Sequence, residues 1–259
     1  MAYSCALPPM VLTSQQPDHA IRDPDRASSW TDCILRPWVI LLSILPLLVI
    51  DVLGTAAASD APDTMARRLL HMLLGIFDVP PSLATIATAL IIVAVLLSWH
   101  LLQRDPWTLP LRAPFGIALE GLVWSIPLLL LSSLFSAAVL TGTATAQQLL
   151  DLSVTDRILV SIAAGLDEEL VFRMAGIALL HTVFVDLLGR RQGTGTMLAI
   201  AGTAVLFAWY HDPSLGSAAQ LVFTLLAGCY LGVLYVLRGF GVVVWAHVLY
   251  DVAVTVVFA

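Results

Sequence analysis

Residues Ala163 to Gly176 read A-A-G-L-D-E-E-L-V-F-R-M-A-G. Asp167, Glu168, Glu169 and Arg173 stand here inside an otherwise apolar run long enough to be part of a membrane-spanning helix. An ionisable side chain at the centre of a bilayer costs roughly 2.5–3.5 kcal/mol on insertion scales, and it persists where it faces a partner, a wet interior or a function. Four such groups within seven residues imply a shared polar interior.

The rest of the chain supplies the apolar surroundings. Of its 259 residues, 59% are hydrophobic and 12% charged, and the mean hydropathy is +0.92; soluble proteins carry about 25% charged residues. The expected fold class is all-α, a polytopic membrane helix bundle of about seven transmembrane helices around a polar intramembrane cavity. With about 20 apolar residues per span, the spans fall near Trp38–Ala57, Leu83–Leu102, Phe115–Leu140, Ile158–Leu180, Met197–Tyr210, Ser217–Leu237 and Phe240–Phe258. Met65–Phe77 sets Leu and Met around Arg67, Arg68 and His71 and reads as an amphipathic helix in the interface. The organisation is a polar tail over 1–33, N-terminal transmembrane helices over 34–155 and a catalytic helix core over 156–259. The tail has no apolar stretch of signal-peptide type, so the first span is expected to act as the insertion signal.

Several function classes recede on composition. A net charge of −6 and the lack of a basic run argue against nucleic-acid binding. Cys5, Cys33 and Cys229 have no paired spacing that indicates a disulfide framework or a thiolate zinc site. The chain contains no lysine, so arginine reports orientation. A cytoplasmic N-terminus puts Arg22, Arg26, Arg36, Arg104, Arg112, Arg190, Arg191 and Arg238 inside, and only Arg67, Arg68 and Arg157 outside. Trp38, Trp99 and Trp107 lie at the matching boundary. The expected location is a prokaryotic plasma membrane, N-terminus in and C-terminus out.

At about 100° per residue, Glu169 and Arg173 share a helix face with the acid first, the better order for an ion pair. Glu168 is turned away from them, on the side of Gly165, Phe172 and Ala175, where its own helix supplies no cation. A carboxylate held in this way is suited to take a proton as a general base. Downstream, Phe207 and His211 are i and i+4 at the end of the fifth span, and His247 and Asp251 are i and i+4 within the last. Two chemistries fit one carboxylate and two imidazoles. In one, Glu168 activates water with an imidazole assisting, while His247 and Asp251 stabilise an oxyanion. In the other, Glu168, His211 and His247 hold zinc, although HExxH is absent. His71, His100, His181, Asp51 and Glu120 read as boundary residues, and Tyr210 and Tyr250 as packing beside the histidines, with hydrogen bonding in the cavity as the alternative. Gly228 and Gly232 form a GxxxG suited to close helix approach.

Glu168-Glu169-x-x-x-Arg173, Phe207-x-x-x-His211 and His247-x-x-x-Asp251, in this order, resemble the EExxxR, FxxxH and HxxxN/D motifs of the CPBP family of type II CAAX prenyl proteases and bacteriocin-processing or self-immunity proteins. The resemblance covers about Asp156 to Val256. It implies a metal-independent, glutamate-dependent intramembrane endopeptidase acting on membrane-associated or lipidated substrates. By that resemblance Glu168 activates water, His211 is its catalytic partner, Glu169 with Arg173 supports the site, and His247 and Asp251 line the oxyanion position. An ionised Asp251 cannot donate to an oxyanion, so it is either protonated or orients His247. A zinc enzyme on the same residues and a non-catalytic membrane immunity or partner-binding protein are the alternatives.

Overall fold

A computed structural model describes residues 29–57, 62–108, 112–135, 151–211 and 217–257. The fold is all-helical. A short helix α1 (Trp30–Ile34) opens on a capping box in which Ser29 and Asp32 bond each other's backbone N–H. It is followed by α2 (Pro37–Ala57), α3 (Met65–Gly75), α4 (Pro81–Gln103), α5 (Arg112–Leu134), α6 (Val154–Leu187), α7 (Gln192–His211) and α8 (Ala218–Val252). All but α1 and α3 are long and apolar enough to cross a membrane. The outward faces carry Leu90, Phe115, Leu119 and Leu130 in the open, the surface of a protein solvated by lipid. The chain is an integral membrane protein.

The sequence predicts seven spans, and among the described residues six helices meet the length and hydropathy requirement. The difference lies in α8, which contains Gly239 at φ 83°, ψ 176°, a conformation open essentially to glycine. Phe223 and Tyr250 lie on either side of it with ring centroids 6.5 Å apart. On a straight helix 27 residues rise about 40 Å. The chain therefore folds back at Gly239, and α8 is a hairpin of two limbs, 218–238 and 240–252, the second carried on by the π-helical turn Ala253–Val257. The predicted boundary between the last two spans falls on this residue. The C-terminal part of the predicted third span lies outside the described residues.

Buried apolar side chains of α2, α4, α5, α6 and both limbs of α8 form one core. Gly228 and Gly232 bring the first limb against Ala204 and Ile200 of α7, as the GxxxG spacing predicts. Gly165 brings α6 against the second limb: a Cβ there would stand 2.4 Å from Val248 Cγ2 and 3.1 Å from its backbone N. Thus α6, α7 and the second limb of α8 converge.

Packing changes the reading of three residues. Glu120 is not a snorkelling end residue; it pairs with Arg238 and accepts from Trp30 Nε1 at 2.9 Å and Trp124 Nε1 at 3.2 Å. His100 is buried, its ring centroid 4.1 Å from that of Trp107. Cys33 is disulfide-bonded, which the sequence reading did not anticipate, while Cys229 is free. The helix α3 is amphipathic as predicted, with Met72, Leu73, Ile76 and Phe77 exposed. Of its two arginines, Arg67 is buried and Arg68 exposed.

Candidate active site

The helix α6 changes winding at the motif. It is α-helical to Glu168 and a π-helix from Glu169 to Ile177, a form that recurs at functional sites because it re-aims side chains without ending the helix. The predicted face of Gly165, Glu168 and Phe172 is buried, but Ala175 is exposed. The i→i+5 winding has rotated it away by then.

Glu169 and Arg173 form an ion pair at 3.0 Å, both almost wholly buried. Arg173 is capped by Phe207, whose ring centroid lies 4.3 Å from the guanidinium carbon, a cation–π contact. The phenylalanine of the FxxxH pattern therefore serves the arginine of the EExxxR pattern, a link between α6 and α7 that spacing within either helix does not reveal. Glu169 also accepts from His247 Nδ1 at 2.6 Å. It ties α6 to the second limb of α8.

These bonds set the imidazoles. A carboxylate and a carbonyl only accept, so the proton of each ring sits on Nδ1. His247 donates from Nδ1 to Glu169, and His211 donates from Nδ1 to the Phe207 carbonyl at 2.9 Å. Both rings consequently turn Nε2 to Glu168, and each Nε2 lies 3.8 Å from the same oxygen, Oε2. That oxygen is buried with no hydrogen-bond partner among the described residues. His247 Nε2 lies 3.5 Å from Asp251 Oδ2. The sequence reading offered Asp251 either as protonated or as the group orienting His247; the shorter contact of His247 is to Glu169, at 2.6 Å. The His211 and Asp251 side chains are 30% and 23% exposed, so the constellation opens on their side.

Beside it stands a second polar group. Arg67 reaches in from α3, donating to Asp51 at 2.6 Å, Asp167 at 2.8 Å and Thr55 at 3.0 Å. Burial opposes its charge, but Asp167 and Asp51 outweigh burial, so its pKa lies above the ordinary arginine value. Arg67 is thus no interfacial reporter of orientation, and Asp51 is not a span-end residue facing water. His71, one turn on, has its pKa lowered by burial, with Asp63 opposing. Tyr210 donates to Glu168 Oε1 at 3.0 Å and accepts from the Ala66 N–H at 2.7 Å. The sequence reading ranked packing for Tyr210 above a hydrogen bond in the cavity; the hydrogen bonds are present. Its place directly before His211 was the only local signal.

Residues 151–253 match the family model of type II CAAX prenyl endopeptidase Rce1-like proteins. The matched segment begins just before α6 and ends one residue past α8, so it contains all three motifs, and the chain is similar there to type II CAAX prenyl endopeptidases. No curated protein and no solved structure matches the chain. Among the described residues, no group of three His, Cys, Asp or Glu side chains is placed to hold a metal ion. The matched segment brings Glu168, His211 and His247 together as neighbours.

Proposed function

We propose that the protein is a glutamate-dependent intramembrane endopeptidase that hydrolyses membrane-associated or lipidated peptides. The observation that supports this reading is the convergence of two imidazole Nε2 atoms on one free oxygen of a buried carboxylate. A water about 2.8 Å from Glu168 Oε2 and from His211 Nε2 satisfies both as acceptors. Glu168 takes one proton as the water oxygen attacks the peptide carbonyl carbon. The carbonyl becomes an oxyanion, and donors at His247 and Asp251 stabilise it when protonated. The C–N bond then breaks as the proton held on Glu168 passes to the leaving nitrogen, aided by His211. Products are a carboxylic acid and an amine, which become carboxylate and ammonium when the second water proton passes from acid to amine, and the site returns to its starting state.

Lipid-anchored peptides suit a site set among spans whose outer faces are apolar. Similarity to prenyl endopeptidases makes a prenylated C-terminal peptide the first to try, with unprenylated membrane-anchored peptides beside it. The test is cleavage by purified protein in detergent, with Glu168→Gln and His211→Ala as variants and each reaction run with and without a chelator. Chelator-resistant cleavage, abolished by Glu168→Gln and lowered about 10²–10⁴-fold by His211→Ala, is expected. Cleavage lost to the chelator and restored by zinc would replace this mechanism with the metal one. Full cleavage by Glu168→Gln would remove the proposed base.

A further inference from the structure

Between the surface helix α3 and the carboxylate of Glu168 runs a hydrogen-bond chain of fixed direction. The Ala66 N–H is a donor only. The Tyr210 hydroxyl accepts from it at 2.7 Å, so its single proton is free for the other side, and Glu168 Oε1 lies there at 3.0 Å. A hydroxyl has one proton to give. Oε1 is therefore the accepting oxygen of that bond, and Oε2 is left facing the two imidazoles.

The anchoring of α3 is built for this. Ala66 is fully buried, and the next residue, Arg67, is 6% exposed. Arg67 binds Asp167, the chain neighbour of Glu168, and Asp51 of α2. Two consecutive residues of α3 thus hold the two consecutive acids of α6, one through a side chain and one through Tyr210. The Tyr210 ring is wedged by Phe172, with centroids 5.2 Å apart. Its hydroxyl is consequently fixed at both ends.

We propose that Tyr210 is a positioning residue for Glu168, oriented by the Ala66 N–H of α3, and that it makes Oε2 the oxygen that receives the proton of the attacking water. This rests on the assignment of Glu168 as the base. It adds that α3, which lies outside the segment matched by the family model, is part of the catalytic apparatus. A rotated carboxylate would offer an already hydrogen-bonded oxygen to the water and lose alignment with His211.

Tyr210→Phe tests it, because the ring packing stays and only the hydroxyl goes. The full-length protein in detergent is assayed on a membrane-anchored peptide that the wild type cleaves, together with its thermal midpoint. An infrared difference spectrum is also recorded, with the Glu168 carboxyl band identified by its loss in Glu168→Gln. The expected result is a fall in kcat per folded protein of about tenfold, as for one lost hydrogen bond in the transition state, with KM unchanged and the carboxyl band moved, and with a modest fall in the thermal midpoint because the buried Ala66 N–H loses its acceptor. Wild-type kcat per folded protein, or an unmoved band, would overturn the proposal. If Glu168→Gln keeps cleaving, the base assignment fails on its own, and the band still reads whether Tyr210 holds Glu168.

Discussion

Arg67 and Glu169 show how single residues are placed by more than their own helix. Arg67 neutralises two buried acids from different spans. Arg67→Ala leaves both uncompensated, and removing one partner of a buried pair costs about 3–5 kcal/mol. Chemical unfolding in detergent is expected to show a loss of that size. Arg67→Lys is expected to recover part of it, since an ammonium restores the charge without the planar fork. Glu169→Gln has a different signature. It weakens the hold on Arg173 and ends the demand that His247 carry its proton on Nδ1, so activity is expected to fall together with stability. In Glu168→Gln stability is expected to stay while activity goes. Comparing kcat and unfolding midpoints of the two variants separates support from chemistry. From the sequence the Glu169–Arg173 pair was legible, because i,i+4 geometry is local. The Arg67 cluster was not: its members lie 16 and 100 residues apart, and nothing in the Met65–Phe77 pattern says which arginine turns inward.

Two close approaches set the elements. Gly239 lets α8 reverse within one residue. Gly239→Ala puts a Cβ at φ 83°, 2.7 Å from Leu35 Cδ2, and is expected to cost about 1–3 kcal/mol in an unfolding titration, without abolishing cleavage in the folded fraction. Gly165→Val acts on the site itself. Its side chain would meet Val248 and push the second limb of α8 off α6, separating His247 from Glu168. Activity is expected to fall at least tenfold, read as kcat per folded protein, with Gly165→Ala intermediate. The sequence marked each helix by its apolar run but not these approaches, because the meaning of a glycine depends on what lies across from it. The π-helix of α6 was equally hidden: local propensity does not distinguish i→i+4 from i→i+5 winding, and packing selects it.

For the molecule as a whole, orientation in the bilayer is the open quantity that arginine placement predicts. Burial of Arg67 removes one of the three residues counted on the outer side, which sharpens the bias toward a cytoplasmic N-terminus. The connection from α6 to α7 is then expected inside, and the start of α6 outside. Gly193 and Asp151 are exposed at those two ends. With the native cysteines replaced, Gly193→Cys is expected to react with a membrane-impermeant maleimide only from the cytoplasmic side and Asp151→Cys only from the other. The reverse pattern inverts the topology and the side on which His211 and Asp251 open.

Composition and hydropathy alone determined that this chain is a bundle of membrane helices, since runs of about 20 apolar residues have no other stable place. The three spaced motifs determined which segment bears the chemistry, because i,i+4 spacing fixes what shares a helix face. Only the tertiary structure decided that Glu169 orients His247, that Phe207 caps Arg173, and that Tyr210 and Arg67 bind a surface helix to the acids of α6. These contacts join residues of different helices. Helical periodicity says which way a side chain faces; the packing of one helix on another decides what it meets.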